Sequence, residues 1–433
     1  MSARAALQPE GRGIAAAGAS PGARRRWLAA AGLLLAALVL PSLAGRSPHL
    51  VERYYSRGLY PYIGRGLALA NSLFSFSLAE LLLGMALVGL LGVVLWQSRR
   101  LYLKRVTLGG LLLSGLLRSV WLAGGGVMLF LFIHGLNYQR PPLGETLGLE
   151  RRQANSQELE KISRSVIANI NRNYEEARAG NDWAEGSRLP LSRPQLYEVI
   201  EAAYRREPLL AFAGGGFGPP KPVYLSPLMS RLGIGGLFSP FTGEPNFNAE
   251  QPDCELPFSI AHEMAHQRGF AREDEANFVA FLVCAQAAHP YVRYAGYLRA
   301  LSVAGLFGSS LLTEKVGGDL SKATSEDRRQ ALERYREVYH QLGAGPRADL
   351  SASSKFWGRY RGQLQQVSRR VNDTYLKANG VRSGVGNYGE FLGLVIDYYL
   401  AHPEALESVY LTGAEATGLS RGVSRAQLQP ALC

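Results

Sequence analysis

Three apolar runs crowd the first third of this chain, and they constrain its architecture more than any other feature. They are WLAAAGLLLAALVLPSLAG (Trp27–Gly45), LFSFSLAELLLGMALVGLLGVVLW (Leu73–Trp96) and LLLSGLLRSVWLAGGGVMLFLFIHGL (Leu111–Leu136). A helix of roughly 20 residues covers the hydrocarbon layer of a bilayer, and each run is of that order. Backbone polar groups have no water to bond there, so each run must satisfy its own as a helix. The expected anchor is therefore α-helical, three transmembrane helices over residues 27–136, following a basic cytoplasmic leader, 1–26. The first run also fits a cleaved signal sequence, with Ser42-Leu43-Ala44 as a small-x-small site. The length of the leader favours a retained helix.

Charge sets the expected orientation. The chain carries a formal +12, and residues 1–105 hold 13 Lys/Arg against 3 Asp/Glu. Beyond them the two signs nearly balance, 34 against 32. Arg24, Arg25 and Arg26 precede the first run, and Arg99, Arg100, Lys104 and Arg105 fill the short connection between the second and third. Positive loops stay in the cytoplasm, which puts everything after Leu136 outside, in a multi-pass inner-membrane protein. A loop over Arg46–Ser72 has four arginines of its own, at lower density. Basicity that flanks apolar spans is no nucleic-acid footprint, and no aromatic-basic RNA motif accompanies it. The expected partner is the lipid bilayer, with no nucleic acid. Glu80 and Arg118 lie inside apolar runs and call for a mutual pair or for snorkelling at the span ends. The three cysteines, Cys254, Cys284 and Cys433, make neither a disulfide framework nor a CxxC pair.

From Asn137 the pattern changes to a soluble, mainly helical domain, expected over 137–411, with a tail, 412–433, that reads as poorly ordered. Helical spacing runs through SQELEKISRSVIANINRNYEEARAG and SRPQLYEVIEAAYRRE, and again over Tyr291–Leu301, Ser325–Leu342, Ser353–Asn379 and Phe391–Ala401. Between them PKPVYLSPLMSRLGIGGLFSPFTGEPNFN is rich in Gly, Pro and aromatics and reads as short strands and turns.

The chemistry concentrates in HEMAHQRGFAREDEAN, His262 to Asn277. His262 and His266 are four apart and share one helical face, where two imidazoles can hold one zinc ion. Glu263, offset by one, is placed as a general base for a water on the open side. Pro257 suits the first turn of this helix and Gly269 its end. Arg272, which stays protonated, excludes a third ligand at its position. Glu273, at the start of a new helix, is the expected third ligand, with Glu275 ranked second and Asp274 behind it. Asn277, one turn beyond Glu273, is placed to orient a histidine ring from the second coordination shell.

The Glu-x-x-Ala-Asn pattern resembles the ligand helix of gluzincin metallopeptidases. With HGLNYQRPPL, PFTGEPNFN, YVRYAGYLRAL and VNDTYLKANGVRSGVGNYGEF, it resembles an uncharacterised bacterial family of three-span membrane proteins with an HExxHQ domain. The resemblance implies a zincin-like, mainly α, α+β extracytoplasmic domain and a zinc metallopeptidase acting on a peptide or protein of the cell envelope. The surviving alternative is a metal-binding sensor or assembly protein without turnover. Tyr388 is a candidate donor to a tetrahedral oxyanion. Phe241-Thr242-Gly243 reads either as an edge strand for an extended peptide or as a plain hairpin. Asn137, Tyr138 and Arg140 read as anchors at the membrane surface. His134, His289, His340 and His402 stand alone and receive no role.

Overall fold

The computed structural model describes residues 21–407 except 182, 184–185, 208–209, 211–214, 380 and 382–387, and gives the backbone alone for Pro21, Ala23, Tyr388 and Gly389. The chain divides into two compact units, Met1–Leu40 with Val93–Leu129, and Pro41–Gly92 with Phe130–Cys433.

The apolar runs form helices α1 (Pro21–Ala44), α4 (Leu78–Tyr102) and α5 (Leu108–Ile133). Their stretches from Arg24, Leu78 and Leu108 are long and apolar enough to cross a membrane. Side chains such as Leu82, Leu90, Leu112 and Leu122 stand exposed, which suits hydrocarbon far better than water. Within the first unit α5 meets α1 at Gly124, where an added Cβ would lie 3.2 Å from the Leu34 backbone nitrogen. A small residue there lets the two backbones approach, the usual basis of helix contact in lipid.

Between α1 and α4 the structure corrects the reading of Arg46–Ser72 as a loop. It holds α2 (Pro48–Leu50), a π-helical stretch, Val51–Leu59, and α3 (Tyr60–Ser72). A π-helix closes i to i+5 hydrogen bonds, and the buried Val51 and Tyr55 of this stretch and Tyr60 just after it recur at four and five.

After α5 come a short turn, α6 (Leu143–Thr146), and the two expected helices α7 (Ser156–Arg178) and α8 (Arg193–Arg206). Asn155 and Glu158 form a capping box at the start of α7. The Gly/Pro-rich segment gives β1 (Lys221–Pro222), a helix not anticipated there, α9 (Ser226–Leu232), then β2 (Gly236–Ser239) and β3 (Glu244–Phe247). The sheet order is β1-β3-β2, with β1 parallel and β2 antiparallel to β3. Phe241-Thr242-Gly243 is the turn of the β2–β3 hairpin, so the edge strand is Gly236–Ser239 instead.

The remaining chain is helical: α10 (Leu256–Gln267), α11 (Glu273–Ala285), α12 (Pro290–Ala300), α13 (Val303–Lys315), α14 (Ser325–Tyr339), α15 (Ala344–Gly358), α16 (Gln363–Ala378) and α17 (Tyr388–Ala401). The single helix expected over Ser353–Asn379 is two, broken at Gly358–Gly362. Pro290–Lys315 is a fourth stretch long and apolar enough for a membrane span. Tyr291, Val292, Ala300, Val303 and Phe307 are fully buried, however, and α12 and α13 pack on α7. Its apolar surface is used inside the domain. The core gathers α7, α8, α10, α11, α12 and α17 around Ile167, Ile200, Met264, Phe278 and Val395.

Two carboxylates tie the start of α4 to the sheet region. Glu244 of β3, fully buried, pairs with Lys221 at 2.6 Å and accepts the Leu78 and Ala79 N–H groups at 3.0 and 2.8 Å. In return Glu80 accepts the Tyr224 and Leu225 N–H groups at 2.9 and 2.8 Å. That is the partner of the acidic group read inside the second run.

Candidate functional site

Local sequence rules position the motif. Pro257 enters α10 in its first turn, where the N–H it lacks has no helical partner anyway. The helix stops because Gly269 takes φ +91°, a left-handed conformation only glycine adopts without strain. Space enforces the choice as well, since a Cβ on Gly269 would lie 2.8 Å from the Tyr60 ring. The chain turns, and α11 begins at Glu273.

This turn brings three donors together. His262 Nε2 and His266 Nε2 are 3.1 Å apart, and the Glu273 carboxylate lies 3.2 Å from the first and 3.8 Å from the second. Among the described residues this is the group of His, Cys, Asp or Glu that could hold a metal ion, with all ligand atoms within 4.8 Å of one another. Zinc–ligand bonds of about 2.0–2.1 Å in a tetrahedron separate neighbouring donors by about 3.3 Å, so the spacing fits that ion. His266 Nδ1 lies 2.7 Å from the Phe270 carbonyl. A proton donated there leaves the Nε2 lone pair facing the other donors.

The electrostatics describe a place for one positive charge. Burial disfavours a charged His266, but hydrogen bonding to Glu273 and the charges of Glu273 and Glu263 outweigh it and lift the ring to about 9. Burial lowers His262. Burial also works against the Glu273 anion, yet its bonds to the two histidines hold it well below the usual carboxylate range.

Glu263 is buried beside them and faces β2. The Phe238 N–H donates to it, and burial pushes its carboxyl up to about 8. A Cβ on Gly236 would collide with this carboxylate, so glycine in β2 makes room for it. The base candidate therefore lies against the edge strand of the sheet.

Behind α10 stands a layer absent from the sequence reading. Tyr60 Oη is 3.0 Å from the Gln267 carbonyl and 3.1 Å from His134 Nδ1. The His134 ring lies against Phe238 of β2 at 5.0 Å between centroids. Burial, and then the charge on His266, lower His134 to about 3, so this ring is neutral. Asn137, Tyr138 and Arg140, read as surface anchors, are buried instead. Arg140 pairs with Glu52 at 2.8 Å, and Asn137 packs on the Gly269 turn. Gln267 donates to the Gly243 carbonyl at 3.0 Å, holding the hairpin turn. The HGLNYQR stretch was a visible signal, and its role is to back the motif.

The other candidates separate. Glu275 points away, accepting the Leu143 N–H at 2.8 Å. Burial and then Asp274 raise its carboxyl. Asp274 faces Arg272 at 3.6 Å. Asn277 donates to the Glu273 carbonyl on its own helix at 2.8 Å and not to a histidine ring. His262 Nδ1 is buried without a hydrogen-bond partner among the described residues. The Tyr388 side chain lies outside the described residues. Its helix, α17, starts close to the ligand turn, with Glu390 3.8 Å from Arg272.

Fold and site together define a mostly helical chain with apolar helices long enough for a membrane and a His-His-Glu cluster in its second unit. The chain belongs to the family described as "Protein of unknown function (DUF3810)", which matches residues 55–306 and 318–396, about three-quarters of its length. The match includes the cluster and also Tyr60 and His134 behind it. Comparison with curated proteins and with solved structures gives no match.

Proposed function

We propose that the protein is a membrane-anchored zinc metallopeptidase with its second unit on the extracytoplasmic side, hydrolysing peptide bonds of an envelope polypeptide. The observation that carries the reading is the convergence of His262, His266 and Glu273 with Glu263 buried beside them. Its zincin-like character rests on the HExxH helix lying under a small sheet whose edge strand is β2. Bound by the three donors, zinc supplies Lewis acidity that activates a water and polarises a carbonyl. Glu263 takes the proton of the attacking water and returns it to the leaving amine. Strand β2 has an edge without a strand partner among the described residues, where an extended peptide can add backbone hydrogen bonds. The orientation rests on the positive loops before α1 and between α4 and α5.

The test is Glu263→Gln. The amide keeps the shape but cannot accept the proton, and loss of a general base typically costs ~100- to 10,000-fold in rate. The variant is expected to retain one zinc per chain and to lose cleavage when envelope proteins are profiled from cells carrying either form. Identical profiles with zinc bound in both would replace the enzyme by a metal-binding sensor.

A further inference from the structure

We infer that α16 is an interfacial helix that seats the unit holding the His262–His266–Glu273 cluster on the lipid surface. Along it Leu364, Val367, Val371 and Tyr375 recur at spacings of three and four, one stripe of the helix. All four are exposed, at 53, 53, 64 and 42 %, and Leu376 is the one buried residue of the helix. Arg369 and Arg370 are exposed away from this stripe. A stripe of this size on an otherwise polar helix is the signature of a helix lying in a membrane interface.

Contacts at both ends of this surface say what covers it. The Tyr375 ring packs on Phe130, in the last turn of α5, at 6.3 Å between centroids. At the other end α16 packs on α9, and the residues leading into α9, Tyr224 and Leu225, are held by Glu80 in the first turn of α4. Glu80 and Phe130 lie two and three residues inside their helix ends, so at about 1.5 Å per residue both contacts sit ~3–5 Å below the span ends. That depth is the headgroup layer. Beside the Glu80 contact a groove of about 770 Å³ runs along α4, between Leu81, Met85 and Val88 on one side and Tyr224 and Leu225 on the other. Apart from Ser77 and Glu80 at its headgroup end, its walls are apolar, and it descends along α4 to the level of acyl chains. The occupant these contacts select is lipid, with the stripe at the acyl boundary and the arginines in the headgroups.

The layer behind α10 connects this surface to the cluster. The Tyr138 hydroxyl donates to Tyr375 at 3.2 Å, and the Tyr138 ring lies edge-on to His134 at 6.3 Å between centroids. Resting on the peptidase reading, this seat confines cleavage to polypeptide segments within reach of the bilayer.

Spin labels test the seat without turnover. Val367→Cys and Val371→Cys, each in a full chain carrying Cys433→Ser, are labelled and reconstituted in phospholipid nanodiscs. Leu332→Cys on α14, exposed at 45 %, serves as the aqueous control. Power saturation is expected to show the first two labels more accessible to oxygen than to a water-soluble nickel chelate, and the control the reverse. Labels at 367 and 371 that follow the control would overturn the proposal. So would labels shielded from both reagents, which would mean that a second copy or another protein covers the stripe. Either failure leaves the peptidase reading to the Glu263→Gln profile, and failure of that profile leaves the lipid contact intact.

Discussion

Helices α10 and α16 invert the usual helix pattern in opposite senses. Helix α10 buries polar groups: Glu263, His266 and Gln267 are at most 8 % exposed. Helix α16 exposes apolar ones. Burying an unpaired polar group costs free energy, so α10 is tolerable only where its groups converge on partners. They do: two histidines face one carboxylate, and Gln267 holds the hairpin. Exposing a valine and leucine stripe is tolerable where the surroundings are not water. Each inversion is local.

The largest effect that can break the α10 half of the comparison is on metal content. Glu273→Gln removes the anion from the three-donor set while keeping its size. One zinc per chain is expected in the parent protein, and the loss in affinity should exceed the ~10- to 100-fold typical of outer-shell changes. Glu275→Gln should keep its zinc, because that carboxylate is engaged with the Leu143 N–H. Metal analysis of the two purified variants decides it. Zinc retained in the first and lost in the second would show that Glu273 is no ligand and that the convergence of donors has another cause.

The second effect is on stability. Gly269→Ala forces a side chain into φ +91° and against the Tyr60 ring, and residues held in such sparsely populated regions cost of order 1–3 kcal/mol. The variant should unfold at lower temperature and bind zinc more weakly, since α10 and α11 meet through this turn. An unchanged melting temperature would mean that the turn relaxes, and that the burial of α10 is less tightly enforced than the comparison holds.

What the sequence made legible follows from the range of each interaction. The convergence of His262, His266 and Glu273 is legible because two helical pairs four apart and one glycine fix it locally. The place of Glu263 beside them follows from the same helix. The backing layer is not legible, because Tyr60 and His134 reach Gln267 and His266 across more than a hundred residues of chain. The Arg46–Ser72 segment that carries Tyr60 reads as a loop because a π-helical stretch interrupts its α periodicity. Asn277 was assigned to a histidine ring from its helical offset alone, and its amide found a nearer acceptor one turn back. The apolar stripe of α16 was present in the letters, but one helix was expected where two occur. Nothing in a periodicity tells whether an apolar face is covered. That information came from Phe130 and Glu80, which belong to helices far away in sequence.

The smallest effect sharpens the comparison most, because it removes one atom behind α10. Tyr60→Phe deletes the hydroxyl that lies between the Gln267 carbonyl and His134 Nδ1, and leaves the ring in place. A single hydrogen bond of this kind contributes about 0.5–1.5 kcal/mol net, and the polar groups left buried can add to that. The ring still packs under Gly269, so α10 should remain folded and the zinc stoichiometry should stay at one. The measurable change is a small drop in melting temperature together with a modest weakening of zinc binding, read by competition with a chelator. The coupling arises because the hydroxyl bonds the carbonyl next to His266, and a shift of that last turn moves Nε2 relative to His262. If the melting temperature falls while zinc affinity is untouched, Tyr60 is a packing residue and the cluster is positioned by α10 and α11 alone. If both fall, the segment before α4 has a second task besides joining two spans, which is to hold the donor helix in register.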